Sequence, residues 1–427
     1  MIALSMFVVV LALLLVGIPV AFVFGSVALG FAFFVPHIGF DIFSVLPFRI
    51  FGIMSNTTLM AVPLFIAMGL VLEKSKMAER LLVSMSAIFA NLRGGLGVSV
   101  VLVGALLAAS TGIVSASVVM MSVIALPLML KAGYDKSLAS GIVASSGTLG
   151  QIIPPSIILI ILGDVMNVSV GELFMGAVLS GLLLVGLYIA YILIYSYFLP
   201  SVAPVPNDIK KVSFKEIIFS IVPPLLLMVA VLGSIFAGIA SPTESAAFGV
   251  IGAILLSMLN KSLSFEMIRY ASLETVKLSG MIFMILIGAT AFSLVFNELG
   301  GTDLIVEFFS EDIGDVWVFI GVAMVSIFVL GFFIDFIEIS FIVVPILVPV
   351  MDAFGIDPIW FAVLIALNLQ ASFLTPPFGL SLFFLKGVAG DTIKTTQIYK
   401  GIIPFIFLQL LGLILVIIFP NLVFAFI

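Results

Sequence analysis

Two short stretches of this 427-residue chain combine residue types that bind small ions rather than extend a helix. The first is Gly147-Thr148-Leu-Gly150-Gln-Ile-Ile-Pro154-Pro155-Ser156. The second, Leu369-Gln370-Ala-Ser372-Phe-Leu-Thr375-Pro376-Pro377-Phe-Gly379, places its Pro-Pro pair 222 positions after the first, at 376 against 154. Each pair removes two backbone donors and frees carbonyls on the preceding turn. In hydrocarbon such a carbonyl is costly unless a partner meets it, and sodium is one such partner. The half-helices that restart from Pro155 and Pro377 present amides and a positive dipole end toward the same depth. Carbonyl ends for a cation and amide ends for an anion form the pattern of a transporter site built on broken helices.

Two further clusters lie beside the breaks. One is Ser110-Thr111-Gly112-Ile-Val-Ser115, and the other is Gly331-Phe-Phe-Ile-Asp335-Phe-Ile-Glu338. The candidate sodium ligands on the first side are carbonyls around Gly147, Thr148 and Gly150, with Ser110, Thr111, Gly112 or Ser115. On the second side they are carbonyls from Gln370 to Phe373, with Thr375 and Asp335. Ser156, Asn368, Gln370, Ser372 and Gly379 are the candidate substrate contacts. Apart from Lys277 at the cytoplasmic edge of the 275–297 run, no lysine or arginine lies in a predicted span, so an anion has to be held by amides, hydroxyls and bound sodium. Asp335 and Glu338 are the only acids predicted deep in the membrane, where ionisable groups are functional by default. Glu244 reads differently: Ser241, Pro242 and Glu244 form a capping box with proline at the first helical position. The competing reading of the prolines is a simple kink with the backbone satisfied by packing. Two breaks in register, each beside a polar cluster, favour a site.

The elements that must position these residues follow from composition. With 63% hydrophobic and 9% charged residues, the chain reads as an all-α polytopic membrane protein. Strand alternation is absent, which disfavours a β-barrel. The absence of cysteine excludes disulfides and thiolate chemistry, the single His37 reads as an interfacial loop residue, and a net charge of -6 gives no reason to expect nucleic acid. The first apolar run lacks the basic start and cleavage pattern of a signal peptide and reads as a mature helix. Spanning runs fall at about 2–18, 20–36, 58–73, 137–163, 172–198, 217–239, 243–260, 275–297, 358–385 and 401–425.

Lysine and arginine mark cytoplasmic loops. One orientation puts 15 of the 16 basic residues inside, with Arg49 the exception, and leaves acidic loops such as 298–315 outside. Both termini are then periplasmic. Each half makes five crossings, an odd number, so residues 1–200 and 215–427 form two inverted repeats joined by a cytoplasmic linker at 201–214. Pro127, Gly133 and Asp135 recur 222 positions later as Pro349, Gly355 and Asp357. Inverted repeats let one site face either side of a membrane. The stretches 94–130 and 316–351 begin and end on one side each and read as re-entrant hairpins, because irregular backbone at mid-membrane depth has to line a polar cavity. An amphipathic arm at 73–92 feeds the first hairpin.

These motifs carry a family resemblance. Pro127-Leu-Met, Gly133-Tyr134-Asp135-Lys136, Gly147-Thr-Leu-Gly150, Ile153-Pro154-Pro155-Ser156-Ile157, Ser241-Pro242-Thr243-Glu244-Ser-Ala-Ala247, Gly355-Ile-Asp357-Pro358 and Leu374-Thr375-Pro376-Pro377-Phe-Gly379 appear in the expected order across nearly the whole chain. Together they resemble the large membrane (M, DctM-like) subunit of tripartite ATP-independent periplasmic (TRAP) transporters, of the ion transporter superfamily. Departures are Ser241 and Ser245 in the Thr-Pro-Thr-Glu-Ala-Ala motif, and Ser110-Thr-Gly-Ile-Val-Ser115 in place of a Ser-Gly-Ser-rich tip. The resemblance implies sodium-driven uptake of an organic acid across the inner membrane by an elevator-type transport domain. It also implies a periplasmic substrate-binding protein and a separate small four-helix membrane subunit, with no enzymatic step and no cofactor beyond the coupling ion.

Overall fold

The computed structural model describes residues 2–35, 38–112, 114–206 and 212–427; the side chains of 108–111 and 312 are outside the described set. His37, Lys210, Lys211 and the side chains of Ser110 and Thr111 therefore lie outside the described residues. The described residues contain helices and connecting turns and no strand.

The first half runs α1 (Ile2–Leu15), α2 (Val20–Phe34), α3 (Leu46–Met54), α4 (Ala61–Lys74), α5 (Met77–Ile88), α6 (Gly95–Thr111), α7 (Val114–Lys131), α8 (Lys136–Thr148), α9 (Ile157–Val165) and α10 (Val170–Phe198). The second runs α11 (Phe214–Phe236), α12 (Pro242–Leu259), α13 (Phe265–Glu298), α14 (Gly301–Glu307), α15 (Val316–Leu330), α16 (Phe336–Ala353), α17 (Pro358–Phe373), α18 (Leu380–Ala389), α19 (Thr395–Ile418) and α20 (Asn421–Phe424). Among the described residues, seven of these helices are long and apolar enough to cross a membrane on length and composition alone: α7, α10, α11, α12, α13, α16 and α19. Helices α6, α7, α8 and α9 start at 95, 114, 136 and 157, and α15 to α18 start at 316, 336, 358 and 380. The differences, 221, 222, 222 and 223, follow the sequence register.

The repeated Gly-x-Asp landmark has a local cause. Gly133 and Gly355 sit at φ +83° and +66°, a left-handed conformation that closes α7 and α16 and that side chains with a Cβ resist. Two residues on, the carboxylate of Asp135 accepts from the Ser137 and Leu138 amides at 2.9 and 3.1 Å, and that of Asp357 accepts from Trp360 at 2.9 Å. A glycine stops one helix and an aspartate caps the next, each cap contributing about 1 kcal/mol. Pro358 holds the first position of α17, where a missing N–H costs nothing. Helix α12 begins the same way: Glu244 accepts from the Ser241 amide at 2.8 Å and the Ser241 hydroxyl accepts from the Glu244 amide at 3.3 Å. The capping box expected from the sequence is therefore present and accounts for Glu244.

Two groups of helices organise the packing. Helix α13 lies on α2 and α4, and α4 lies on α12, which contacts α11. Helices α6, α7 and α19 surround α8, α17 packs on α15 and α19, and α10 bridges α6, α17 and α19. Close approach in the second group depends on missing side chains. A Cβ on Gly401 would collide with the Ser137 carbonyl, and one on Gly141 with the Gly401 carbonyl. The start of the linker is pinned to the first half: the Val202 carbonyl accepts from Asp135 at 2.9 Å and the Ala203 carbonyl from Gly94 at 3.2 Å. The stretch read as an interfacial arm contains α5, which packs on α6 and α11.

Candidate functional site

Both proline pairs end a helix and precede a new one. After α8 the chain makes a single tight turn, Leu149–Gln151, passes through Pro154-Pro155 and restarts as α9. After α17 it passes through Pro376-Pro377 and restarts as α18. The peptide bond within each pair is cis. A helical proline deprives the carbonyl four residues earlier of its donor. For Pro155 that carbonyl belongs to Gln151, and it accepts instead from the Ser156 hydroxyl at 2.6 Å. For Pro377 it belongs to Phe373, and it accepts from the Ser381 hydroxyl. One orphan per break is thus met by a serine of the restarting helix. Thr148 and Thr375 donate to the carbonyls of Ser145 and Ala371 at 2.9 and 2.8 Å, reinforcing the last turns before the breaks.

Each break is touched by the turn between a helix pair. Gly112, between α6 and α7, takes φ +60° and lies against α9: a Cβ there would stand 2.8 Å from the Ile157 side chain and 3.3 Å from its amide nitrogen. Between α15 and α16, Gly331 packs so closely on Ser372 that a Cβ would strike its hydroxyl. Phe333 meets Phe378 at 5.2 Å between ring centroids, and Phe336 meets Phe373 edge-on at 6.2 Å. The halves also cross over, since α16 packs on α9 and α18 packs on α7. The start of α7, the Asp335 cap and start of α16, and both restarting helices border one cavity of about 110 Å³, lined by Ser115, Ile157, Asp335, Phe373 and Leu380 among others. Its opposite wall comes from the other helix group, through Ile66 of α4 and Leu278 and Met281 of α13.

The remaining described candidate residues do not line this cavity. Asn368 donates to the Met324 carbonyl at 2.6 Å and so ties α17 to α15, and Ser372 donates to Leu369 at 2.8 Å. The Gly379 amide donates to the Thr375 carbonyl at 3.0 Å, and Gly147 makes room for Val118. Gly150 and Gln370 are fully covered, and both amide atoms of Gln370 lack a hydrogen-bond partner. Sequence reasoning missed Gln151, which sits in the first break with both amide atoms likewise unpartnered. Its only signal was a polar residue inside an apolar break. Asp335 has a structural task as well, because its carboxylate caps α16 through the Phe336 amide at 2.7 Å while Glu338 reaches back to the Asp335 amide at 3.0 Å. The spacing Asp-x-x-Glu could have disclosed that capping box. Among the described residues, no group of three or more His, Cys, Asp or Glu is arranged to hold a metal ion. A cation here would depend on carbonyls, hydroxyls and amide oxygens.

Larger hollows lie elsewhere, among them one of about 160 Å³ between α13 and α16 lined by Phe292, Asn297, Phe341 and Pro345, and two more. One of about 960 Å³ runs between α5, α11 and α12, and one of about 380 Å³ surrounds Asn56 and Asp164; neither contains a candidate residue. In the second, the Asn56 amide donates to the Asp164 carboxylate, joining the segment before α4 to the end of α9.

A multi-pass bundle with paired broken helices around one cavity is the architecture of a helical membrane transporter. The solved structure of the Alcanivorax borkumensis YdaH transporter shares this fold, with a TM-score of 0.61 at 15% identity over 89% of this chain and 88% of that one. The chain belongs to the family of TRAP large membrane subunits, whose family model, Tripartite ATP-independent periplasmic transporter, DctM component, matches residues 7–422. It is 29% identical to the C4-dicarboxylate TRAP transporter large permease protein DctM of Rhodobacter capsulatus, over 97% of this chain and 96% of that protein. It is 31% identical to the ectoine TRAP transporter large permease protein TeaC of Halomonas elongata, over 96% and 95%. With the isethionate TRAP transporter permease protein DctMQ of Oleidesulfovibrio alaskensis it shares 28% identity over 94% of this chain but only 62% of that one.

Proposed function

We propose that this chain carries out sodium-coupled secondary uptake of an organic acid across the cytoplasmic membrane, receiving its substrate from a periplasmic binding protein. The observation that carries this reading is the cavity bordered by the starts of α7 and α16 and by both restarting helices. In this reading residues 1–200 and 215–427 are inverted repeats, 94–130 and 316–351 are re-entrant hairpins, and both termini are periplasmic. The group containing α6 to α9 and α15 to α18 is the moving body of an elevator, and the group containing α2, α4, α11, α12 and α13 is its fixed frame. The relatives named for C4-dicarboxylate, ectoine and isethionate support a small organic cargo.

Sodium fits the residues present. The serine and threonine hydroxyls at the breaks spend their protons on backbone carbonyls, which leaves oxygen lone pairs free, and Gln151 and Gln370 add unpartnered amide oxygens nearby. Asp335 supplies a carboxylate at the cavity wall. Carbonyls and half-helix ends of this kind are the usual sodium ligands of broken-helix transporters. A small four-helix membrane subunit is the second partner that membership of this family implies.

Uptake in proteoliposomes is therefore expected to require a sodium gradient together with both partner proteins. Unaltered transport without sodium would overturn the coupling. Transport by this chain alone would favour the second reading, a stand-alone sodium/carboxylate carrier of the same superfamily.

A further inference from the structure

The cavity walls narrow the cargo that the proposed site would take. Resting on that functional reading, we infer that the substrate is a small monocarboxylate with a branched aliphatic body, and not a dicarboxylate, a polyhydroxy acid or an amino acid. Among the described residues, the polar side chains on the wall are Ser115 and Asp335 and the rest are apolar, with Leu278, Met281, Phe373 and Phe384 representative. A hydroxylated acid would bury several hydroxyls against these walls with nothing to replace their water, and each unmatched hydroxyl is disfavoured.

Charge points the same way. Among the described residues no lysine or arginine lines the cavity, and the acid that does has Glu338 one helical turn behind it. A second carboxylate on the substrate would face Asp335 as a like charge in a poorly solvated space. An amino acid would bring its ammonium to the carboxylate that the proposed sodium needs, and its remaining N–H groups would face apolar side chains. The volume agrees, since a dry apolar cavity of about 150 Å³ accepts a benzene-sized guest, and about 110 Å³ suits a slightly smaller body. The carboxylate end is left to bound sodium and the amides of the restarting helices, and the apolar end to the wall between α13 and α18.

The test uses the full chain in lipid nanodiscs, with thermal stabilisation titrated by four probes: 3-methylbutanoate, its amino-acid counterpart valine, succinate and gluconate, each in sodium and in choline. The expected result is that 3-methylbutanoate binds about tenfold or more tightly than the other three, and only in sodium. Equal or tighter binding of succinate, gluconate or valine overturns the assignment. Sodium that stabilises the protein while 3-methylbutanoate fails to bind would reject the cargo class and leave the coupling intact. Equal binding in choline would reject the coupling and leave the cargo class intact. Met281→Trp, at a partly exposed position on the wall, should weaken 3-methylbutanoate binding at least about tenfold while keeping the sodium response. Unchanged affinity in that variant would put binding elsewhere and overturn the inference.

Discussion

Ser156 and Ser381 perform matching tasks at the two breaks, each giving its hydroxyl proton to the carbonyl that a proline has orphaned. Both are fully buried, so removing either hydroxyl leaves a carbonyl with neither water nor a protein partner. Ser156→Ala and Ser381→Ala should each lower stability by about 1–3 kcal/mol, read as a lower unfolding midpoint in detergent. Ser156→Thr should recover much of the loss. An unchanged midpoint for both alanine variants would show that the carbonyls are met some other way. Asp335 has two tasks that substitution can separate. Asparagine still accepts a hydrogen bond at a helix start but carries no charge. Asp335→Asn should therefore keep the fold and impair sodium-dependent uptake, and full sodium dependence in that variant would leave Asp335 only its capping role. The Pro-Pro pairs were legible in the sequence because proline's missing donor acts locally. The buried, unpartnered amide of Gln151 was not, since an isolated glutamine has no diagnostic spacing, and its burial is set by helices remote in sequence.

At the scale of elements, the turn between α6 and α7 rests on the start of α9 through Gly112. An alanine there would meet both a left-handed backbone and the Ile157 side chain. Gly112→Ala is expected to cost about 1–2 kcal/mol from the backbone alone, and to shift the sodium concentration needed for stabilisation, because the turn and the break would separate. The base of the same helix pair carries a different check. Tyr134 is buried beside α6, where its hydroxyl accepts from the Gly97 amide at 3.3 Å, and burial pushes its phenol up to about 12. A raised folded value favours the neutral phenol, so its contribution is complete below the ordinary tyrosine value of 10 and is lost as the pH rises from there to about 12. Wild type should lose stability across that alkaline window more steeply than Tyr134→Phe, and coincident profiles would exclude Tyr134 as a source of the alkaline loss. Helix starts and stops were readable wherever a glycine or an acid does the work, as at Gly133, Asp135, Gly355 and Asp357. The contacts of α16 with α9 and of α18 with α7 were not, because they join segments roughly 180 to 270 residues apart, and no local pattern encodes such pairing.

For the molecule as a whole, the Asn56–Asp164 pair offers a test of the proposed motion between the two helix groups. The segment before α4 reaches the end of α9 through this pair and is itself held by the Thr243 hydroxyl, which donates to the Thr57 carbonyl. If α9 slides against that segment during transport, joining the two positions should stop it. The chain has no native cysteine, so Asn56→Cys with Asp164→Cys gives a background-free test. A short bifunctional thiol reagent should reduce sodium-driven uptake to background, with no effect on either single variant. Full uptake by the cross-linked protein would refute relative movement at this contact.

The crosswise packing of α16 on α9 and α18 on α7 also limits which motions remain. Neither inter-helix turn can be withdrawn without dragging the restarting helix of the opposite half, so the four segments share one collective degree of freedom. In the proposed transport cycle, a cavity held this way would not be opened by a local flap, and its doorway would form where the interlocked block meets α4 and α13.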